Sequence, residues 1–325
     1  MTLIDETTEK MNALGSRRIP FLFVFDFLMQ QPVVKPLNEI NPEEIQFIVH
    51  GEGNQTNEEI VTNEEIVFTP KPPEYHQYKK AFDKVMFHLN RGDSYLLNLT
   101  MPVGLDINIG LKDIFRRSQA PYKLWMKDKF TVFSPEPFVK INDNRIFSHP
   151  MKGTIDADLP DAEQRLLDDP KELAEHYTIV DLIRNDLNMV SKKVKVDLFR
   201  YVEKIQTNRR NLLQTSSLIS GELPVGYESR IGTIITSLLP AGSISGAPKK
   251  KTVEVILEAE LYDRGFYTGV FGVFDGKQLD SAVMIRYIEQ TETGMVFKAG
   301  GGITVNSKVE DEYKELLDKV YLPFL

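Results

Sequence analysis

The 325-residue chain has no cysteine. Disulfide scaffolds, thiolate zinc sites and cysteine nucleophiles are excluded at once. Histidine is scarce: His50, His76, His88, His149 and His176 show no paired ligand spacing, and no Ser-His-Asp constellation can be read from them. Any metal must therefore be held largely by carboxylates. The longest apolar run, Ile19 to Leu28, contains Asp26 and is too short to span a bilayer. Basic residues are not in excess: 39 Lys and Arg against 47 Asp and Glu leave a net charge of −8. That balance argues against nucleic acid or an anionic membrane as the main partner. Met1 to Lys10 is polar and acidic, unlike a secretion signal. A soluble, cytoplasmic protein is expected.

What is present reads as a mixture of strands and helices. Ile19 to Phe27 is aromatic and β-branched, a buried strand. Asn41 to Pro73 is polar, with Thr-Asn-Glu-Glu-Ile occurring twice between Thr56 and Ile66, and reads as an exposed loop ending at Lys71-Pro-Pro. Tyr78, Phe82, Val85 and Leu89 have helical spacing, with Gly92 as the stop. Short strands follow at Tyr95–Thr100, Tyr122–Met126, Phe130–Ser134, Phe138–Ile141 and Arg145–Ser148. Leu173, Tyr177, Val180, Ile183 and Leu187 return to the helical period, as do Ile231–Leu238 and Val253–Leu261. Gly269–Gly276 and Gln278–Glu289 read as a hairpin pair, Met295–Ala299 as a further strand, and Val309–Tyr321 as the last helix. Strands in runs and helices in runs predict an α+β fold with largely antiparallel sheets. No low-complexity linker divides the chain after Lys71-Pro-Pro, so one domain is expected.

Five groups of residues could carry chemistry. Glu172 and Glu175 are three apart on one expected helix, and Glu312 and Glu315 repeat the spacing on another. Each pair shares a helix face and repels itself unless a cation intervenes. Two such faces meeting would suit a hard divalent ion, magnesium by default; otherwise they are solvated surface. Lys152, before Gly153-Thr154 at a strand end, can be a nucleophile if its amine is desolvated and its pKa falls; otherwise it is an ordinary turn lysine. Pro240 to Lys251 places small residues before a basic helix start, either an anion-binding loop or a solvated one. Gly300, Gly301 and Gly302 follow a strand, and allow either close backbone approach to a ligand or a tight turn. Arg286 lies amid apolar strand residues, so it pairs with an internal acid or awaits an anionic ligand.

The order of these groups is more specific than any one of them. Ser134-Pro-Glu136, Pro150-Met-Lys-Gly-Thr154 and Glu175-His-Tyr-Thr-Ile-Val-Asp-Leu-Ile-Arg-Asn-Asp-Leu187 resemble the chorismate-utilising enzymes. So do Pro240-Ala-Gly-Ser-Ile-Ser-Gly-Ala-Pro-Lys249, Arg264-Gly-Phe-Tyr-Thr-Gly269, Ile285-Arg286, Ala299-Gly-Gly-Gly-Ile303 and Glu312-Tyr-Lys-Glu315. The resemblance runs from about Tyr75 to the C-terminus. It is strongest to the aminodeoxychorismate synthase component I branch, because anthranilate synthases typically carry Ala where Lys152 stands. It implies two antiparallel β-sheets packed together and flanked by helices. It also implies magnesium-dependent amination of chorismate at C4 by ammonia, supplied by a glutamine amidotransferase subunit, on the way to folate.

By the same resemblance Lys152 is the nucleophile and Glu136 the general acid. Magnesium sits on Glu175 and Glu315, supported by Glu172 and Glu312. Gly153, Thr154, Tyr267, Arg286, Lys319 and the Gly300–Gly302 backbone bind substrate. Three departures qualify the match. Leu96 stands where many relatives have Gln and the water-adding enzymes a general-base Lys, and Leu cannot activate water. Gln214 falls near a common His. The N-terminal region, about residues 1–73, is short and lacks the tryptophan-binding Leu-Leu-Glu-Ser string, so feedback by tryptophan is not expected and the usual glutaminase docking surface is altered. The rival expectations are an anthranilate synthase component I and a non-catalytic chorismate-binding relative.

Overall fold

The strand Phe21–Phe25 is buried at every residue. Side chains alternate across a strand, so its two faces enter two different cores. Phe21, Phe23 and Phe25 pack with Ile179, Ile183 and Ile235 from helices. Leu22 and Val24 pack instead with Tyr122, Leu124 and Val132 from strands of a second sheet. A third core joins that second sheet, through Leu97, Leu99 and Phe297, to residues such as Phe82, Val255 and Leu316 on helices. The layers therefore run helix, sheet, sheet, helix. The computed structural model describes residues 1–56, 65–206 and 211–324; most of the Thr-Asn-Glu-Glu-Ile echo lies outside them.

Both sheets have nine strands among the described residues, and every pairing is antiparallel. The α+β expectation of two packed antiparallel sheets flanked by helices holds. In the first sheet Phe21–Phe25 pairs with Val270–Phe274, which pairs with Leu279–Val283 and, beyond it, Pro137–Asn142. In the second, Leu96–Ile107 pairs with Gly294–Ile303, which pairs with Tyr287–Thr291. The expected strands at Tyr122–Met126 and Phe130–Ser134 and the helix Ile231–Leu238 occur with those bounds. No helix among the described residues is long and apolar enough to cross a membrane.

Several elements differ from expectation. Asn41–Pro73 is not all loop: Ile45–Val49 is a strand that pairs with Tyr122–Met126, and Phe68–Lys71 is another. Gln278–Glu289 is not one strand: Leu279–Val283 belongs to the first sheet and Tyr287–Thr291 to the second. The chain changes sheet between them, and Arg286 takes a φ of 54° there. The glycine run is not a turn. Gly300, Gly301 and Gly302 continue the strand Gly294–Ile303 and pair with Thr100, Leu99 and Asn98. A helix at Leu3–Ser16 and a long hairpin, Lys192–Gln206 with Asn211–Glu222, were not expected.

A second change of sheet completes the frame. Phe130–Ser134 lies in the second sheet and Pro137–Asn142 in the first, with Glu136 at the crossing. The two crossings hold each other: Val283 N donates to Glu136 O at 3.1 Å, and Phe133 N donates to Arg286 O at 3.0 Å. An acid and a guanidinium thus enter the space between the sheets from two adjacent crossings.

Candidate active site

That space opens into a cleft of about 580 Å3. All fourteen residues singled out from the sequence line it: Glu136, Lys152, Gly153, Thr154, Glu172, Glu175, Tyr267, Arg286, Gly300, Gly301, Gly302, Glu312, Glu315 and Lys319. They arrive from both sheets, from the helices Pro170–Val190 and Val309–Asp318, and from the turn around Tyr267.

Lys152 begins the first sheet's end strand, Met151–Asp156, which pairs with Asn211–Glu222. Its Nζ lies 3.2 Å from Glu175 Oε2. A Cβ at Gly302 would stand 3.1 Å from that amine and 3.2 Å from Leu96 Cδ1. Glycine therefore leaves room for the lysine against the facing sheet. Burial pushes the lysine's pKa down, but Glu175, Glu315 and Glu172 outweigh burial and hold it above the ordinary value. The condition set for a nucleophile, a lowered pKa, is therefore not met in this structure, because three carboxylates surround the amine.

Glu136 has the opposite balance. Burial raises its pKa above the ordinary carboxylate value, although Ser243, Lys152 and Lys319 pull it back in part. Ser243 Oγ donates to Glu136 Oε1 at 2.7 Å. A carboxyl with a raised pKa is suited to donate a proton.

The two acidic faces meet the same cleft. Burial and repulsion from Glu175 raise Glu172, while burial and the nearby Glu315 and Glu175 raise Glu312. Burial would raise Glu315 as well, but Lys319, at 2.7 Å, with Lys152 and Lys171, keeps it below the ordinary value. Among the described residues, no three His, Asp or Glu side chains stand close enough to hold a metal ion as they are. The donor chemistry nevertheless suits a hard cation, being four carboxylates with neither thiolate nor imidazole. The backbone also makes way for them. A Cβ at Gly153, whose φ is 79°, would stand 2.9 Å from Glu172 Oε2, and one at Gly301 would stand 3.1 Å from Glu315 Oε1.

Two cationic side chains, Arg286 and Lys319, also line this cleft. Among the described residues Arg286 has no carboxylate partner; its Nη1 donates to Lys319 O at 2.5 Å and its guanidinium lies 4.7 Å from the centre of the Tyr321 ring. Of the two alternatives for this arginine, pairing with an internal acid is not seen among the described residues. Lys319 Nζ donates to Gly300 O at 2.8 Å, tying the end of the last helix to the glycine strand.

Sequence reading missed Ser243 and Asn98 as cleft residues. Asn98 lies two residues beyond Leu96 on the same strand and so shares its face. Its Oδ1 is shielded without a hydrogen-bond partner among the described residues. Strand alternation was the available signal. Ser243 had none beyond its place in a string of small residues. Lys249, in the run read as solvated, is paired: its Nζ lies 2.9 Å from Asp186 Oδ2 and 2.6 Å from Leu238 O.

The chorismate binding enzyme family matches residues 30–323. The chain therefore belongs to the chorismate-binding enzymes. It is 51% identical over 322 residues to a Pasteurella multocida protein described as an uncharacterised PabA-like protein, covering 97% of each chain. It is 30% identical over 259 residues to aminodeoxychorismate synthase component 1 of Bacillus subtilis, covering 75% of this chain and 54% of that one. The fold is similar to that of the menaquinone-specific isochorismate synthase MenF of Escherichia coli, with a TM-score of 0.75, 16% identity and coverage of 98% of this chain and 81% of that one.

Proposed function

We propose that the chain aminates chorismate at C4 with ammonia, giving 4-amino-4-deoxychorismate and water. The observation that carries this reading is the presence, in one cleft, of the Lys152 amine and of Glu136, whose carboxyl pKa burial raises. An alanine at position 152 would leave ammonia itself to attack C2, the anthranilate-forming alternative.

Lys152 first gives up its proton to solvent, and the neutral amine attacks C2 of the ring. Both ring double bonds shift and the C4–O bond breaks. Glu136 gives its proton to the departing hydroxyl, which leaves as water. Ammonia then attacks C4, both double bonds shift back, and the C2–N bond to Lys152 breaks, releasing the neutral amine. The proton lost by the new C4 ammonium returns to Glu136, which restores the acid. Arg286, with the Gly300–Gly302 backbone, Thr154, Tyr267 and Lys319, binds and orients the carboxylates of the substrate. Leu96 keeps a general base away from the ring, consistent with an amination rather than a water addition.

Glu175 and Glu315, supported by Glu172 and Glu312, would hold magnesium, which when bound supplies positive charge for the ring carboxylate. The carboxylates that keep Lys152 protonated in this structure are the same ones. A glutamine amidotransferase subunit is the natural ammonia source for such an enzyme.

The test is incubation with chorismate, ammonium and magnesium, followed by mass spectrometry and fluorescence of the small-molecule products. 4-Amino-4-deoxychorismate is expected. Isochorismate, fluorescent anthranilate or unconsumed chorismate would overturn the reading.

A further inference from the structure

Glu136 is held at one carboxyl oxygen by a neighbouring hydroxyl. Ser243 Oγ donates to Oε1 at 2.7 Å. The serine belongs to a short helical turn, Gly242–Ser245, that is fixed from three sides. Lys249 Nζ bridges Asp186 Oδ2, at 2.9 Å, and Leu238 O, at 2.6 Å, closing the loop around the turn. Arg264 Nη1 donates to Ile244 O at 3.2 Å while its Nη2 donates to Asn98 O at 2.6 Å. Arg264 is itself locked by Glu260, with both side chains almost fully buried. Gly242 packs so tightly that a Cβ there would lie 2.9 Å from Asp186 Oδ2 and 3.0 Å from Leu182 Cδ2. Two ion pairs, one buried and one partly exposed, thus fix a turn whose one polar side chain in the cleft meets Glu136.

We propose that Ser243 is a positioning residue for Glu136, fixing Oε1 as the acceptor oxygen so that the transferable proton rides on Oε2. The inference rests on the reading of Glu136 as the acid. A protonated carboxyl has one acceptor oxygen and one O–H, and a hydroxyl donor on Oε1 selects between them. Once the proton has left, the same hydrogen bond becomes charge-assisted and stabilises the carboxylate. Ser243 therefore strengthens in the direction of the reaction. The charged and titratable groups around Glu136 are Lys152 from the end strand, Lys319 from the last helix, Tyr267 from its turn and Arg286 from the adjacent crossing. They remain when the serine is changed.

The sign of the pH effect follows. The reaction needs Glu136 protonated, so, with Lys152 neutral in the substrate complex, turnover falls as pH rises through the pKa of Glu136. Removing a donor that stabilises the carboxylate raises that pKa and moves the alkaline limb upward.

Ser243→Thr and Ser243→Val have the same shape and differ in the hydroxyl. Relative to Ser243→Thr, Ser243→Val is expected to shift the alkaline limb of kcat up by about one pH unit and to lower the plateau about tenfold. KM for chorismate should change little, and Ser243→Thr should behave as the parent enzyme. In a Glu136→Gln background, Ser243→Val should cost nothing further. If the Thr and Val variants share one pH profile while 4-amino product still forms, the positioning role is overturned and the amination reading stands. If the parent enzyme converts chorismate to a different product and the limb still shifts, the amination reading falls and the positioning role stands. A protein that leaves chorismate untouched overturns both.

Discussion

Lys152 shows how much a single residue's chemistry depends on neighbours far away in sequence. Its presence before Gly153-Thr154 was legible. The carboxylates around it were legible only through the family resemblance, because Glu172, Glu175 and Glu315 come from two helices elsewhere in the chain. The arginine was clearer. A guanidinium amid apolar residues must find a partner, and Arg286 does so through a backbone carbonyl and an aromatic face. Lys152→Ala tests the chemistry at this scale. With the amine gone, ammonia can reach C2 directly, so amination at C4 should fall severely and some amination at C2 should appear. Product mass spectra together with anthranilate fluorescence would read both. A variant that still makes undiminished 4-amino product would rule out the covalent role of the lysine.

At the level of elements, the glycine strand and the two acidic helices make separable predictions. The three glycines suggested either a turn or a ligand-facing backbone. They are a strand because each pairs in register with Leu96–Ile107, and long-range pairing of this kind leaves no local trace in sequence. Their substitutions should differ. A Cβ at Gly300 would lie 2.2 Å from Leu99 O, a backbone atom that can move only with its strand. Gly300→Ala should therefore destabilise the protein by about 2 kcal/mol, visible as a lower Tm. A Cβ at Gly302 meets the flexible ends of Lys152 and Leu96 instead. Gly302→Ala should keep its Tm and lose turnover about tenfold or more, since a small misplacement of a reacting group is costly. Equal losses of Tm in both variants would contradict this division. On the helices, the i, i+3 acidic pairs were legible from their spacing, and their convergence only through the family resemblance. Glu175→Ala and Glu315→Ala should each abolish magnesium-dependent turnover while far-ultraviolet circular dichroism stays unchanged. Normal turnover that still requires magnesium would remove that glutamate from the ligand set.

Across the whole molecule, the apolar patterns located most strands, but only the structure divides them between two sheets. The run Gln278–Glu289 reads as one strand because both halves are apolar on at least one face; the positive φ at Arg286 is what sends the second half to the other sheet. The long hairpin was overlooked for a different reason. Lys192–Gln206 carries register shifts that interrupt strict alternation, and Leu198 and Phe199 are both exposed. One buried cation in the second sheet makes overall stability depend on pH. Lys123 is 5% exposed, and its Nζ donates to Phe115 O at 2.9 Å and Ser118 O at 3.0 Å at the end of the helix Leu111–Arg117. Burial lowers its pKa to about 8. In the unfolded chain it titrates near the ordinary lysine value of about 10.4. Between those values the unfolded state holds more protons, so raising the pH favours the folded state. The cost of burying the charge is fully present below pH 8 and is relieved as the pH climbs toward 10. Lys123→Met lacks this titration. Chemical denaturation of both proteins should show the parent gaining on the variant by up to about 1 kcal/mol per pH unit between pH 8 and 10. A constant difference across that window would mean that the Phe115 and Ser118 carbonyls keep the amine charged despite its burial.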